Sequence, residues 1–135
     1  LTGRENFRYA GRKAIEATRP VLEKSPSAAG QSLVAFDFLL GPAREIAVVA
    51  GTDPVELDRV LNAIHAEFLP GAVIAPAPAG DAATLAGLLP LLADRPARGG
   101  KTTTYICQDY ACGEPVTGVE GVIAAIASLR ASEGR

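Results

Sequence analysis

Hydrophobic and small residues near the start of the chain recur at helical spacing. Phe7, Ala10, Gly11, Ala14, Thr18, Val21 and Leu22 fall three and four apart, which puts a small-residue stripe on one face of a helix from Thr2 to about Leu22. Thr2 and Glu5 have the form of a capping box, and Pro20, lacking an N–H, is expected to kink or end the helix. A second helix is expected from about Ala28 to Leu40, stopped by Gly41-Pro42. Its run from Leu33 to Leu40 is apolar on nearly every side apart from Asp37, so it needs partners on more than one face. The character then changes. Glu45 to Ala50 reads as a short buried strand, and Asp53, Pro54 and Glu56 are the cap, first-turn and capping-box residues of a helix whose apolar face is Leu57, Val60, Leu61, Ile64 and Phe68. Ala72 to Ala75 reads as a second strand. Strand, helix and strand within about thirty residues form a βαβ unit with parallel strands.

Beyond Pro78 the pattern is a broken helix from Asp81 to about Leu92, interrupted by Pro90, then a polar loop from Arg95 to Lys101. Thr102 to Cys107 is rich in residues that suit a pleated surface and reads as a third strand. Thr117 and Glu120 form a third capping-box pair, opening a last helix that carries Val119, Val122, Ile123, Ile126 and Leu129. The expected fold class is α/β: a helical hairpin over residues 1–42, then a compact module over residues 43–135 with a three-stranded, mainly parallel sheet and flanking helices.

Composition narrows the function classes. The 135 residues suit one modest domain, and a hydrophobic share of 48% with a formal net charge of -2 excludes a disordered tail and argues against a basic nucleic-acid binder. Ten prolines and fourteen glycines break every apolar run before the roughly 18 residues of a membrane-spanning helix, so no membrane partner is expected. The chain begins at Leu1 and contains no Met, from which the expectation is a piece of something longer.

The sharpest local chemistry is Cys107-Gln108-Asp109-Tyr110-Ala111-Cys112, between the end of a predicted strand and the start of a helix. Open α/β sheets place ligand-binding loops at such positions. Two thiols at this separation allow a disulfide, half of a metal site, or two reduced structural cysteines. A closed zinc site needs four ligands, and only these two cysteines and His65, on a distant helix, are on offer, so no metal and no cofactor are expected. No Lys or Arg lies between Cys107 and Thr117, whereas Asp109 and Glu114 would raise a thiol pKa. That local pattern argues against an activated nucleophile.

Gly51, Thr52 and Asp53 follow the first strand, and with Pro76, Asp109 and the strand ends near Cys107 they are the candidate binding loops. Neither the three spaced glycines of a dinucleotide site nor a Gly-Lys-Ser/Thr phosphate loop is present, and Asp53 would repel a phosphate. Gly99-Gly100-Lys101-Thr102 precedes a strand rather than opening a helix and is set aside. His65 reads as a half-buried structural histidine and Asp37 as the polar edge of its helix. Arg8, Arg12 and Lys13, interleaved with Glu5 and Glu16, read as a solvated face.

Tyr105-Ile106-Cys107 through Cys112, with Pro115, Val116 and Thr117, resembles the closing motif of the YyaL-type proteins, the family that includes the spermatogenesis-associated thioredoxin-like protein. Phe38-Leu39-Leu40-Gly41-Pro42, Glu45 to Val49 and Phe68-Leu69-Pro70 agree with it, over most of the chain. The resemblance implies a parent with a thioredoxin-like domain, an (α/α) toroid similar to sugar epimerases and six-hairpin glycosidases, and a small C-terminal α/β segment. Residues 1–42 would then be the last toroid hairpin. The thioredoxin Cys-x-x-Cys and the inner face of the toroid fall outside these residues, and only the Cys107 and Cys112 pair carries over. The resulting expectation is a cytoplasmic accessory C-terminal module without independent catalysis, contributing a redox or structural cysteine pair to a redox or carbohydrate-modifying parent. Its partners would be the rest of that parent, or a second copy through the hairpin. The alternative is a nucleotide- or sugar-binding α/β module.

Overall fold

A computed structural model describes residues 3–108 and 111–133; Thr2 and Asp109, both given roles by the sequence, lie outside them. The chain runs α1 (Glu5–Lys24), a 3-10 turn (Pro26–Ala29), α2 (Gly30–Leu40), β1 (Arg44–Val49), α3 (Glu56–His65), β2 (Ala72–Ala77), α4 (Ala82–Ala86), a second 3-10 turn (Pro90–Leu92), β3 (Thr103–Gln108), β4 (Ala111–Cys112), β5 (Val116–Thr117) and α5 (Gly118–Glu133). No helix among the described residues is long and apolar enough to cross a membrane.

The α/β class holds, and the sheet differs from expectation in strand number and direction. It has five strands in the order β2-β1-β3-β4, with β5 also paired to β3. β1 and β2 are parallel, as the βαβ reading requires, but β3 is antiparallel to β1, with Val49 opposite Thr103 and Arg44 opposite Gln108. The segment between β2 and β3 covers one face of the sheet without travelling back along it. β3 therefore starts at the end where β2 finished and runs the other way. The two short strands β4 and β5 were missed because two residues carry no period.

β1 is central, and Ile46, Ala47, Val48 and Val49 are all buried, which is why it reads as an unbroken apolar run. Ile46 and Val48 meet Val60 and Ile64 of α3 and Val122 and Ile126 of α5 on one face. On the other face Ala47, Val49, Ala75, Ala77, Tyr105 and Cys107 pack under Leu91 and Leu92, with Leu85 and Leu89 alongside. Phe68, placed on the apolar face of α3 by its spacing, lies beyond the end of that helix and is 85% exposed.

Two helices form before the sheet, and α1 differs from expectation at its end. α1 continues through Pro20 to Lys24; Pro20 is exposed, so the carbonyl it leaves unbonded faces water and the helix survives. Along α2 the apolar side chains stay uncovered, Val34 at 63% and Leu40 at 70% exposure. The polar face of α1 carries the pairs Lys13–Glu16 and Arg19–Glu23, each at 2.7 Å. Lys13 holds the Glu16 carboxyl below its ordinary pKa by hydrogen bonding and charge, but at this exposure the pair adds little stability.

The start of β3 is tied down at Thr102, which is wholly buried. Its N–H donates to Glu56 Oε2 at 2.6 Å, its hydroxyl accepts from the Gly51 N–H at 3.3 Å, and its carbonyl accepts from the Gly118 N–H at 2.9 Å. Glu56 thus reaches across to β3 instead of closing a capping box. Asp53 is not the N-cap either: α3 starts at Glu56 with Val55 at its N-cap and no side-chain cap bond, and Asp53 Oδ1 accepts from the Val55 N–H at 2.9 Å in the turn before the helix. Immediately before, Gly99 and Gly100 both adopt left-handed backbone (φ 57° and 70°) in a turn closed by the Lys101 N–H on the Arg98 carbonyl at 3.0 Å. A Cβ on Gly51 would stand 2.2 Å from the Gly100 carbonyl oxygen.

Replacing Glu56 by Ala should lower unfolding free energy by about 2 kcal/mol, because the Thr102 N–H is left buried without its charged acceptor. Gly51→Ala should destabilise more than Gly100→Ala, which costs about 1–2 kcal/mol in backbone strain alone. Urea unfolding of the three variants checks the order.

Candidate functional site

β3 and β4 are joined so that Cys107 stands opposite Cys112, and the two form a disulfide with Cα atoms 3.9 Å apart. The Gly113 N–H donates to the Ile106 carbonyl at 3.0 Å. The alternation of an antiparallel ladder then makes Cys107 and Cys112 a non-hydrogen-bonded pair, the position where side chains approach most closely. Strand pairing therefore builds the bridge: Cys107 is opposite Cys112 because the hairpin register puts it there. The two sulfurs are not equivalent. Cys107 is 1% exposed and belongs to the core, whereas Cys112 is exposed at the edge of the sheet.

Arg95 supplies the charge. Leu91 and Leu92 are anchored in the core, Asp94 turns the chain with φ 56°, and the Arg95 side chain reaches back over the sheet. One guanidinium nitrogen donates to the carbonyls of Leu91 and Ala93. The other donates to Cys112 Sγ at 2.9 Å and Cys107 Sγ at 3.4 Å. The guanidinium also lies 5.8 Å from the centre of the Tyr105 ring, and the Tyr105 hydroxyl donates to the Pro96 carbonyl at 2.7 Å. The cation is held on three sides with its free edge on the bridge.

Arg95 brings to the sulfurs a cation that the cysteine loop itself lacks. Glu114, expected to act on the thiols, is paired with Arg98 at 3.2 Å, while the residue that touches both sulfurs lies before β3. No spacing rule marks Arg95; its position is a consequence of the turn at Asp94. Glu45 was missed as well. It is the register partner of Cys107 on β1 and so stands on the same face of the sheet.

The remaining candidates are divided between the two ends of the sheet. Gly51, Thr52 and Asp53 follow the carboxyl end of β1, and Pro76 lies near the end of β2, opposite Val48. Because β3 is antiparallel, Cys107 and Cys112 lie at the other end, beside Glu45. At the Gly51 end, the Thr52 N–H donates to the Gly100 carbonyl at 2.8 Å and the Thr52 hydroxyl to the same oxygen at 3.0 Å. These loops are occupied by the glycine turn. His65 is exposed in the last turn of α3 rather than half-buried, since Ile64 takes the inward position. Asp37 is exposed and lines a cleft with Phe38, Pro42, Phe68 and Leu69. Among the described residues no three His, Cys, Asp or Glu side chains gather into a metal position.

The chain matches no protein-family model, no curated protein and no solved structure.

Denatured without reductant, the protein should take up no alkylating agent, and after reduction it should take up two equivalents. Under native conditions after reduction, Cys112 should be labelled before Cys107, as peptide mapping will show. Loss of the bridge in a Cys107→Ser/Cys112→Ser variant should cost about 2 kcal/mol, the chain-entropy value for so short a loop.

Proposed function

We propose that residues 43–135 are an accessory module whose Cys107–Cys112 pair cycles between disulfide and dithiol in exchange with a thiol partner. The observation that carries this reading is the Arg95 guanidinium at 2.9 Å from Cys112 Sγ and 3.4 Å from Cys107 Sγ. A disulfide sulfur is a weak acceptor and gains little from an arginine. A thiolate gains a charge-assisted hydrogen bond, so the cation favours the reduced pair and the leaving sulfur in exchange. A bridge serving stability alone has no use for that bias.

In the exchange, a partner thiolate attacks Cys112 Sγ, a sulfur–sulfur bond forms between them, and the Cys107–Cys112 bond breaks with its electron pair on Cys107 Sγ, beside Arg95. A second partner thiolate then attacks the mixed disulfide and releases Cys112. The partner dithiol is oxidised, the pair is reduced, and the two thiol protons pass to the pair. In a cytoplasmic setting, where lasting disulfides are rare, a cycling bridge is the expected kind.

The parent we propose is a YyaL-type multidomain protein with a thioredoxin-like domain and a helical toroid, the thioredoxin-like domain being the natural source of the dithiol. Support comes from the residue pattern at Tyr105 to Thr117 and from the uncovered apolar side of α2, which suits packing against further helices.

The midpoint potential should fall at about -200 to -300 mV, within the range of cellular dithiols. Arg95→Met should move it more negative by about 30 mV, the equivalent of one charge-assisted bond, with Arg95→Lys in between. Equilibration against glutathione buffers with thiol trapping measures both. A midpoint well below that range and unchanged in Arg95→Met would leave the bridge a structural one.

A further inference from the structure

The backbone at Cys112 indicates what kind of thiol reaches it. Since Cys107 and Cys112 form a non-hydrogen-bonded pair, the N–H and C=O of Cys112 point away from β3. β4 is the edge of the sheet, so both groups face outward, and no described residue bonds them. The exposed sulfur and an unused donor and acceptor thus belong to the same residue. Opposite residues of an antiparallel pair exchange both backbone bonds and carry their side chains on the same face. A strand laid along the outer edge of β4, with its own cysteine opposite Cys112, would form a hydrogen-bonded pair with it and place its sulfur on the same face of the sheet as Cys112 Sγ, on the side away from Cys107.

Resting on the redox reading of this site, we propose that its substrate is a cysteine in an extended polypeptide segment, which adds as a strand to the outer edge of β4 and attacks Cys112 Sγ. Cys107 is the leaving sulfur and stays in the core beside Arg95. Main-chain bonds supply affinity without demanding a particular side chain, the usual mode of strand addition. A small thiol has no extended backbone to offer and is the poorer reductant.

The test compares three reductants of the oxidised full chain at equal thiolate concentration: a five-residue peptide with a central cysteine between β-branched residues, the same peptide N-methylated at the cysteine, and 2-mercaptoethanol, which has no peptide backbone. Dithiothreitol serves as the control for exchange itself. The expected result is reduction by the peptide about tenfold faster than by 2-mercaptoethanol, a gain lost on N-methylation, since one lost backbone bond at about 1.4 kcal/mol is tenfold in rate. Acid quenching and alkylation partway through reduction of the native pair should show the peptide in mixed disulfide with Cys112 and the alkyl label on Cys107. Equal rates for the three, or a gain that survives N-methylation, would overturn strand addition while leaving thiol exchange in place. Failure of dithiothreitol to reduce the native pair would overturn the redox reading as well.

Discussion

β3 starts at the end of the sheet where β1 and β2 finish, and the wholly buried Thr102 holds it there with bonds to Glu56, Gly51 and Gly118. These three contacts come from α3, the β1 loop and α5, so one residue locks the direction of β3 against three separate elements. Once that direction is set, the far end of β3 must lie beside the first residues of β1. The hairpin to β4 and the disulfide it carries follow from that placement. Loops that a parallel arrangement would gather at one rim are instead divided between two.

The division separates two kinds of surface. At the Thr102 end, the Gly99-Gly100 turn lies so close to Gly51 that backbone fills the space between the loops. At the other end an exposed sulfur, a buried sulfur and a fixed cation share one edge of the sheet. Apart from the sulfurs, the Arg95 guanidinium bonds the carbonyls of Leu91 and Ala93, groups that take no part in the bridge. Its interaction with a thiolate exceeds that with a disulfide, and this difference, rather than the strength of either contact, biases the chemistry.

The helical hairpin presents a different problem. α1 is a solvated helix whose charged pairs are local, and α2 is apolar around its circumference with no element of the described chain over most of it. Burying that surface would contribute stability on the order of 25 cal/mol for each Å² removed from water, a driving force for association with further helices.

The order and type of the larger elements were legible because each has a local cause: helical spacing in α1 and α3, β-branched runs in β1 and β3, and glycine and proline at the breaks. The cysteine pair was legible as chemistry, since two thiols five positions apart can meet. Its bridged state, the direction of β3, the pairing of Glu56 with Thr102 and the presence of Arg95 over the sulfurs were not. Local spacing determines which face a side chain takes on its own helix or strand, and that much the chain carried in its order of residues. Which distant groups share a site depends on strand direction and on the turn at Asp94, and these are chosen only when the core packs and buried donors such as the Thr102 N–H must find acceptors.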